Sequence, residues 1–191
     1  MAYLTRGLTI DQYRVGMKFR TASRTITEAD VVNFAGFSGD YNAIHTDEEY
    51  AKTTVYGTRI AHGMLGSAIS SGLAARLGIF EGAVIALKFQ SMEYRRPIRV
   101  GDTIAMDMLV TDVQANRDGS RGTVVFKTQC RNQHDKMVIR GQWELLIRGA
   151  TPEEIAARGE GGAESPVATG SVDVETGVSL FVDPTATPPG T

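Results

Sequence analysis

With 191 residues, 42% of them apolar, the chain can bury one sizeable core, or one domain with an appendage. No apolar stretch approaches the ~20 residues of a membrane-spanning helix, and the start of the chain lacks the basic-then-apolar order of a secretory signal, so a soluble, cytoplasmic protein with no membrane partner is expected. The net charge of −2 is far from the dense basic stripe of a nucleic-acid binder, the lone Cys130 excludes an internal disulfide, and His45, His62 and His134 do not fall in metal-ligand spacing with it, so no metal site is expected.

A first strand is expected near 18–26. Thr27-Glu28-Ala29-Asp30 then reads as a helix start, with the Thr27 hydroxyl as N-cap and Glu28 and Asp30 favoured by the helix dipole. Val31, Val32, Phe34 and Ala35 continue it, and Gly36 with Gly39 supplies the break. Residues 46–53, acidic at Asp47, Glu48 and Glu49 and then carrying Tyr50 and Ala51, fit a short helix before a turn at Gly57. The stretch 61–77 is apolar on most sides and rich in Gly, Ala and Ser. That composition predicts a helix buried nearly all round, with small residues where other backbones approach and Gly78 at its end. Beyond it the sequence changes to runs rich in Val, Ile, Thr and Phe at 83–96, 103–113, 123–132 and 137–147. Turn residues separate them: Pro97 and Gly101, then Asn116, Asp118 and Gly119, then His134 and Asp135. One long buried helix ahead of four strands predicts an α+β layout in which an antiparallel sheet curves around that helix.

Residues 149–191 differ in composition from all of this. They hold five of the six prolines and a single basic side chain, Arg158, against seven acidic ones, which leaves the preceding body at +4. A domain over 1–149 and a tail over 150–191 follow. Apart from a short helix at 152–158, the tail is expected to be mostly disordered or loosely docked, with the apolar run 178–182 able to rest on the body or on a partner chain. A mildly positive body suits an anionic small ligand, although ordinary surface scatter gives the same sum.

The run Phe37-Ser38-Gly39-Asp40-Tyr41-Asn42-Ala43-Ile44-His45 sets a carboxylate and an imidazole five positions apart in a Gly-marked turn after the first helix. Asp40 and His45 can hold one water between an acceptor and a switchable donor or acceptor, which is the equipment for adding water to a polarised double bond. The spacing alone is weak, because an Asp in such a turn is more often a local hydrogen-bonder. Tyr41 and Asn42 either line a pocket or complete the turn, and the Asn42 amide can orient the loop.

That run, followed by five residues and Ala51, resembles the signature of the MaoC-like, R-specific enoyl-CoA hydratases of the hotdog fold. The likeness continues through Arg59-Ile60-Ala61-His62-Gly63-Met64-Leu65 to Ser71-Gly72-Leu73, and more loosely through Tyr94-Arg95-Arg96-Pro97-Ile98 and Val100-Gly101-Asp102, covering 11–147. The family pattern usually has Pro where this chain has Ala43, so the loop here loses a rigidifying residue. The resemblance implies Asp40 and His45 as a catalytic dyad, the backbone N–H of Gly63 as the donor to the thioester oxygen, and Ser71 as a supporting hydroxyl. It further implies a homodimer that buries the acyl thioester between subunits, a coenzyme A thioester as substrate with no other cofactor, and an (R)-3-hydroxyacyl product.

In a trans-2-enoyl thioester, water attacks C3 and negative charge develops on the thioester oxygen. Gly63 falls near the first turn of the apolar helix, where unpaired N–H groups and the positive end of the dipole point outward, and it has no side chain to block an approaching oxygen. His62 beside it reads as fixing the loop or capping the helix rather than transferring a proton. Ser71 also has a plain reading as a packing residue bonded to its own backbone. Arg95 and Arg96 either meet a coenzyme A phosphate or are solvated strand charges. Two other functions stay open: a hotdog acyl-CoA thioesterase, marked by release of free thiol, and a non-catalytic acyl-thioester-binding subunit, disfavoured by the presence of both Asp40 and His45.

Overall fold

Two short strands, β1 (Lys18–Arg20) and β2 (Arg24–Thr25), replace the single strand expected near 18–26 in the computed structural model, which describes residues 7–159. Thr21 makes the break, because its Oγ1 accepts the Met106 N–H at 2.9 Å and puts a side chain into the ladder. Helix α1 (Glu28–Ser38) starts on a reciprocal cap: Thr27 Oγ1 accepts the Asp30 N–H at 3.3 Å, and Asp30 Oδ2 accepts the Thr27 N–H at 2.8 Å. It ends at Gly39, whose φ of 74° is the left-handed conformation that glycine adopts without strain. A short helix in the stretch expected to be loop, α2 (Ala43–Thr46), carries His45, and the helix expected at 46–53 forms as α3 (Glu48–Lys52), started by Asp47, which leaves helical geometry and accepts the Tyr50 N–H at 3.0 Å.

Helix α4 (Gly63–Ala75) is followed by β3 (Val84–Tyr94), β4 (Thr103–Ala115), β5 (Arg121–Asn132) and β6 (Met137–Arg148). The strands form one antiparallel sheet in the order β1-β4-β5-β6-β3, with β2 also on β4, so β3 lies at an edge. One face of the sheet packs on α4. Leu65, Ile69 and Leu73 of the helix meet Ile98, Ile104, Cys130, Val138 and Ile139, and a second cluster gathers Met106, Met108, Val110, Val124, Phe126, Trp143 and Ile147. Phe126 is fully buried and takes the edges of Tyr13 and Phe80 at 5.8 and 5.7 Å.

The expectation that α4 is buried nearly all round needs correction. Met64, Ala68, Ser71, Gly72 and Ala75 form an exposed stripe along it, because the sheet of one chain covers only the opposite side. The neighbouring edge strand is exposed over most of its length as well, with Ile85, Leu87 and Phe89 each about half accessible.

The helix expected at 152–158 forms as α5 (Pro152–Gly159) and is tied to the body by Arg148–Glu154 at 2.6 Å and Arg158–Asp11 at 2.7 Å. Hydrogen bonds from the Arg148 guanidinium and then from the Thr151 N–H hold the Glu154 carboxyl down at about 2, from an ordinary 4.5. A folded value below the unfolded one means that this tie is fully present above about pH 4.5 and weakens as the pH falls towards 2. Amide exchange at Ile155 should therefore accelerate across that window ahead of the sheet; an exchange rate that follows the sheet throughout would show the ion pair to be idle. The remainder of the expected tail, including the run 178–182, lies outside the described residues.

Candidate active site

Local hydrogen bonds shape the loop after α1. The Asp40 N–H bonds Ser38 Oγ at 3.2 Å, Asp40 Oδ1 accepts the Asn42 N–H at 3.2 Å, and Asn42 Oδ1 accepts the Ile44 N–H at 3.3 Å to start α2. Asp40 thus makes the local turn bond, yet it uses one carboxylate oxygen for it and leaves the other without a partner among the described residues. Asn42 orients the loop through its amide oxygen. Tyr41 is 65% exposed, and its carbonyl accepts from Thr46 Oγ1, so it completes the turn rather than walling a cavity.

The strip 59–63 holds this loop from the other side. It is pinned by a bridge between Ile60 and Arg99 and by the Ala61 N–H bonding the Ile98 carbonyl at 2.8 Å. Arg59 clamps two helix starts, reaching Glu28 of α1 at 2.6 Å and Glu48 of α3 at 3.0 Å. Those hydrogen bonds hold the Glu48 carboxyl below its ordinary range. The next carbonyl, that of Ile60, lies 2.8 Å from His45 Nδ1. A carbonyl can only accept, so Nδ1 carries the hydrogen and Nε2 of the neutral ring presents a lone pair.

His62, 2% exposed, donates from Nε2 to the Asp40 carbonyl at 2.9 Å, while its buried Nδ1 has no partner among the described residues. Its ring lies 3.9 Å from that of His45, tilted by 32°, with Phe34 5.0 Å away. One imidazole therefore ties the backbone of Asp40 to the ring of His45. A carboxylate oxygen of Asp40 and one ring nitrogen from each histidine lie within 4.8 Å of one another. The fold has assembled ligand types that sequence spacing kept apart. His45 Nδ1 and His62 Nε2 are committed to carbonyls, which leaves His45 Nε2 and His62 Nδ1 as the open ring nitrogens near the Asp40 carboxylate, an arrangement that can pass a proton.

His45, His62 and Gly63 wall a cavity of about 340 Å³ together with Tyr56, Tyr94, Arg95, Arg96 and Ile139. Gly63 opens α4, and His62 at the N-cap position makes no side-chain cap bond, unlike Thr27 on α1. The first N–H groups of α4 are left to whatever occupies the cavity, together with the positive end of the dipole. The Tyr94 ring covers Gly63 so closely that a Cβ there would fall 3.0 Å from it, and the Tyr94 hydroxyl is held by Ser67 Oγ at 3.0 Å.

The fold thus brings Asp40, His45 and Gly63 near one another, with Asn42 shaping the loop that carries the first two. Ser71 is not brought to this cavity by its own chain. It lies eight positions after Gly63, about 12 Å along the axis, on the exposed stripe, and the helix hydroxyl that touches a cavity wall is that of Ser67. Sequence reasoning missed the Ile60 carbonyl and the Ser67–Tyr94 pair. A backbone acceptor has no letter of its own, and the hydroxyl pair joins positions 27 apart.

The chain is similar to known proteins over most of the described residues. The family model for the MaoC like domain matches residues 11–130. An (R)-specific enoyl-CoA hydratase of Rhodospirillum rubrum is 38% identical over 126 residues, 65% of this chain and 82% of that protein. The mitochondrial 3-hydroxyacyl-acyl-carrier-protein dehydratase of Arabidopsis thaliana is 30% identical over 117 residues, 61% of this chain and 67% of that one. A solved structure from Mycobacterium tuberculosis with a double hotdog fold aligns at a TM-score of 0.70 and 17% identity, over 78% of this chain and 47% of its own. The sheet curved around α4 is a hotdog fold.

Proposed function

The chain belongs to the MaoC-like domain family, and from that premise we propose that it adds water to trans-2-enoyl-CoA to form (R)-3-hydroxyacyl-CoA, or catalyses the reverse dehydration. The observation that carries this reading is the gathering of the Asp40 carboxylate with His45 and His62, ligand atoms within 4.8 Å of one another, where His45 and the uncapped start of α4 at Gly63 wall one cavity. The relatives' names supply the reaction class, a hydration or dehydration of acyl thioesters.

Asp40 and His45 grip one water. As its oxygen bonds to C3, the pair takes one of its protons, and the π electrons move through C2 to the thioester oxygen. The Gly63 N–H and the helix dipole stabilise that oxyanion. The electrons then return to form the C2–H bond with the proton the pair held, which restores the dyad and leaves a hydroxyl on C3. One water supplies both groups, so addition is syn. The (R) configuration is carried over from the relatives.

The acting unit in this proposal is a homodimer. An 11-residue edge strand with an open hydrogen-bonding side, next to an apolar helix stripe, is the kind of surface that a second copy pairs with and covers. Ser71 enters the site only through such pairing. Light scattering should give twice 20.6 kDa, and particles of 20.6 kDa alone would remove the dimer from the proposal.

Loss of enoyl-thioester absorbance with crotonyl-CoA and longer enoyl-CoAs, without appearance of free thiol, tests the activity. Thiol release in place of absorbance loss would make the protein a thioesterase.

A further inference from the structure

Both histidines of the site are held as metal ligands usually are. His45 Nδ1 donates to the Ile60 carbonyl at 2.8 Å, and His62 Nε2 donates to the Asp40 carbonyl at 2.9 Å. A ligating imidazole characteristically gives its other N–H to a carbonyl or carboxylate, which fixes the tautomer and aims the remaining lone pair. The proposed hydration uses only one such ring, that of His45. The carboxylate is supported in the same fashion, since Asp40 Oδ1 accepts the Asn42 N–H at 3.2 Å while its other oxygen has no partner among the described residues.

His62 is 2% exposed, and its Nδ1 is a buried acceptor with no hydrogen-bond partner among the described residues. An acceptor left unmet in the interior costs stability, so what surrounds it matters. The Phe34 ring, 5.0 Å away, has no polar hydrogen to offer. The His45 ring, 3.9 Å away, has already given its N–H to Ile60. The Asp40 carboxylate can only accept. One ligand atom from each of Asp40, His45 and His62 lies within 4.8 Å of the other two. Three lone-pair donors gathered with no hydrogen to share between them make a site for a cation.

We propose that Asp40, His45 and His62 bind a divalent transition-metal ion, Zn²⁺ in the first instance, and that the bound ion switches the site off. Two imidazoles and one carboxylate suit zinc, whereas magnesium and calcium call for oxygen ligands. Ligands at 2.0–2.2 Å from a tetrahedral zinc stand roughly 3.4 Å apart, so no pair of the three has more than about 1.4 Å to close, a shift within the reach of side-chain rotation. His45 and His62 also wall the cavity of about 340 Å³, which gives an ion its way in and leaves room for a water as the fourth ligand. Bound there, the ion takes the His45 Nε2 lone pair and the Asp40 carboxylate, the two groups that grip water in the proposed hydration; the loss of turnover rests on that reading, and the binding does not.

The test is titration calorimetry of the full chain with zinc chloride after dialysis against EDTA. Wild type should take up one ion per chain, and His45→Gln and His62→Asn should each weaken binding by about a hundredfold, more than is usual for a residue that merely supports a ligand. His134→Asn removes the remaining histidine, outside the cluster, and should bind as wild type does. Zinc should also raise the thermal midpoint of wild type and of His134→Asn but not that of His45→Gln, so the answer does not hang on whether the buried substitution at His62 folds. Hydration of crotonyl-N-acetylcysteamine, which carries no phosphate to sequester zinc, should fall in step with occupancy and return on addition of EDTA. Absent binding, or equal binding by wild type and His45→Gln, overturns the site. Zinc that binds while turnover holds or rises overturns the switch. If the zinc-free wild type hydrates no enoyl thioester, the hydratase reading fails, and calorimetry with the same variants still decides on the metal site.

Discussion

Replacing Asp40 with Asn, or His45 with Gln, is expected to lower kcat for crotonyl-CoA hydration by ~10² to 10⁴ while leaving the fold intact. The reasoning starts from what each amide keeps. The new side chain in Asp40→Asn retains an oxygen for the Asn42 N–H, and the one in His45→Gln can still donate towards the Ile60 carbonyl, so the local bonds that shape the loop survive. What disappears is the ability to take a proton from water and return it. Both positions are at least partly accessible, so neither change opens a core cavity. Steady-state rates with matched thermal midpoints check this, and full turnover in either variant would remove the dyad from the mechanism.

Gly63→Ala should reduce kcat/KM by roughly 10²-fold, through a collision rather than through loss of a donor. The amide remains, but the new Cβ would stand 3.0, 3.1 and 3.2 Å from Cε1, Cδ1 and Cζ of Tyr94. The ring has to give by a few tenths of an ångström against the bond between its hydroxyl and Ser67. Any shift of the ring alters the wall that both residues give to the cavity, beside the position the thioester oxygen needs. Adding Tyr94→Leu to Gly63→Ala should recover part of the loss by removing the obstructing ring. A Gly63→Ala protein with wild-type kcat/KM would mean that the oxyanion is bound elsewhere.

Much of this was legible in the sequence where the signal is local. Thr27 and Asp30 announce the start of α1, and the β-rich runs place the four long strands to within a few residues, because caps and alternation act over three or four positions. The helix at 152–158 was legible too, from Pro152 and the acids after it. Where distant chain segments decide the outcome, the reading failed. Nothing near Thr21 reveals that its hydroxyl will take the Met106 N–H and split a strand. The composition of α4 suggests burial on every side, yet one sheet covers only half of it. Asp40 and His45 could be singled out because they share a turn. The stacking of His62 on His45 could not, since it depends on the strip 59–63 being drawn alongside the loop by Ile98 and Arg99.

The bare start of α4 links catalysis to folding stability. A helix that leaves its leading amides unmet holds back some of its own stability until an oxygen from outside arrives, so the occupied protein should outlast the empty one on heating. A non-turning-over analogue at about a hundred times its dissociation constant would add about 2.7 kcal/mol by mass action. The part of that gain that vanishes when the analogue's carbonyl is reduced to a methylene measures what the open helix end has in reserve.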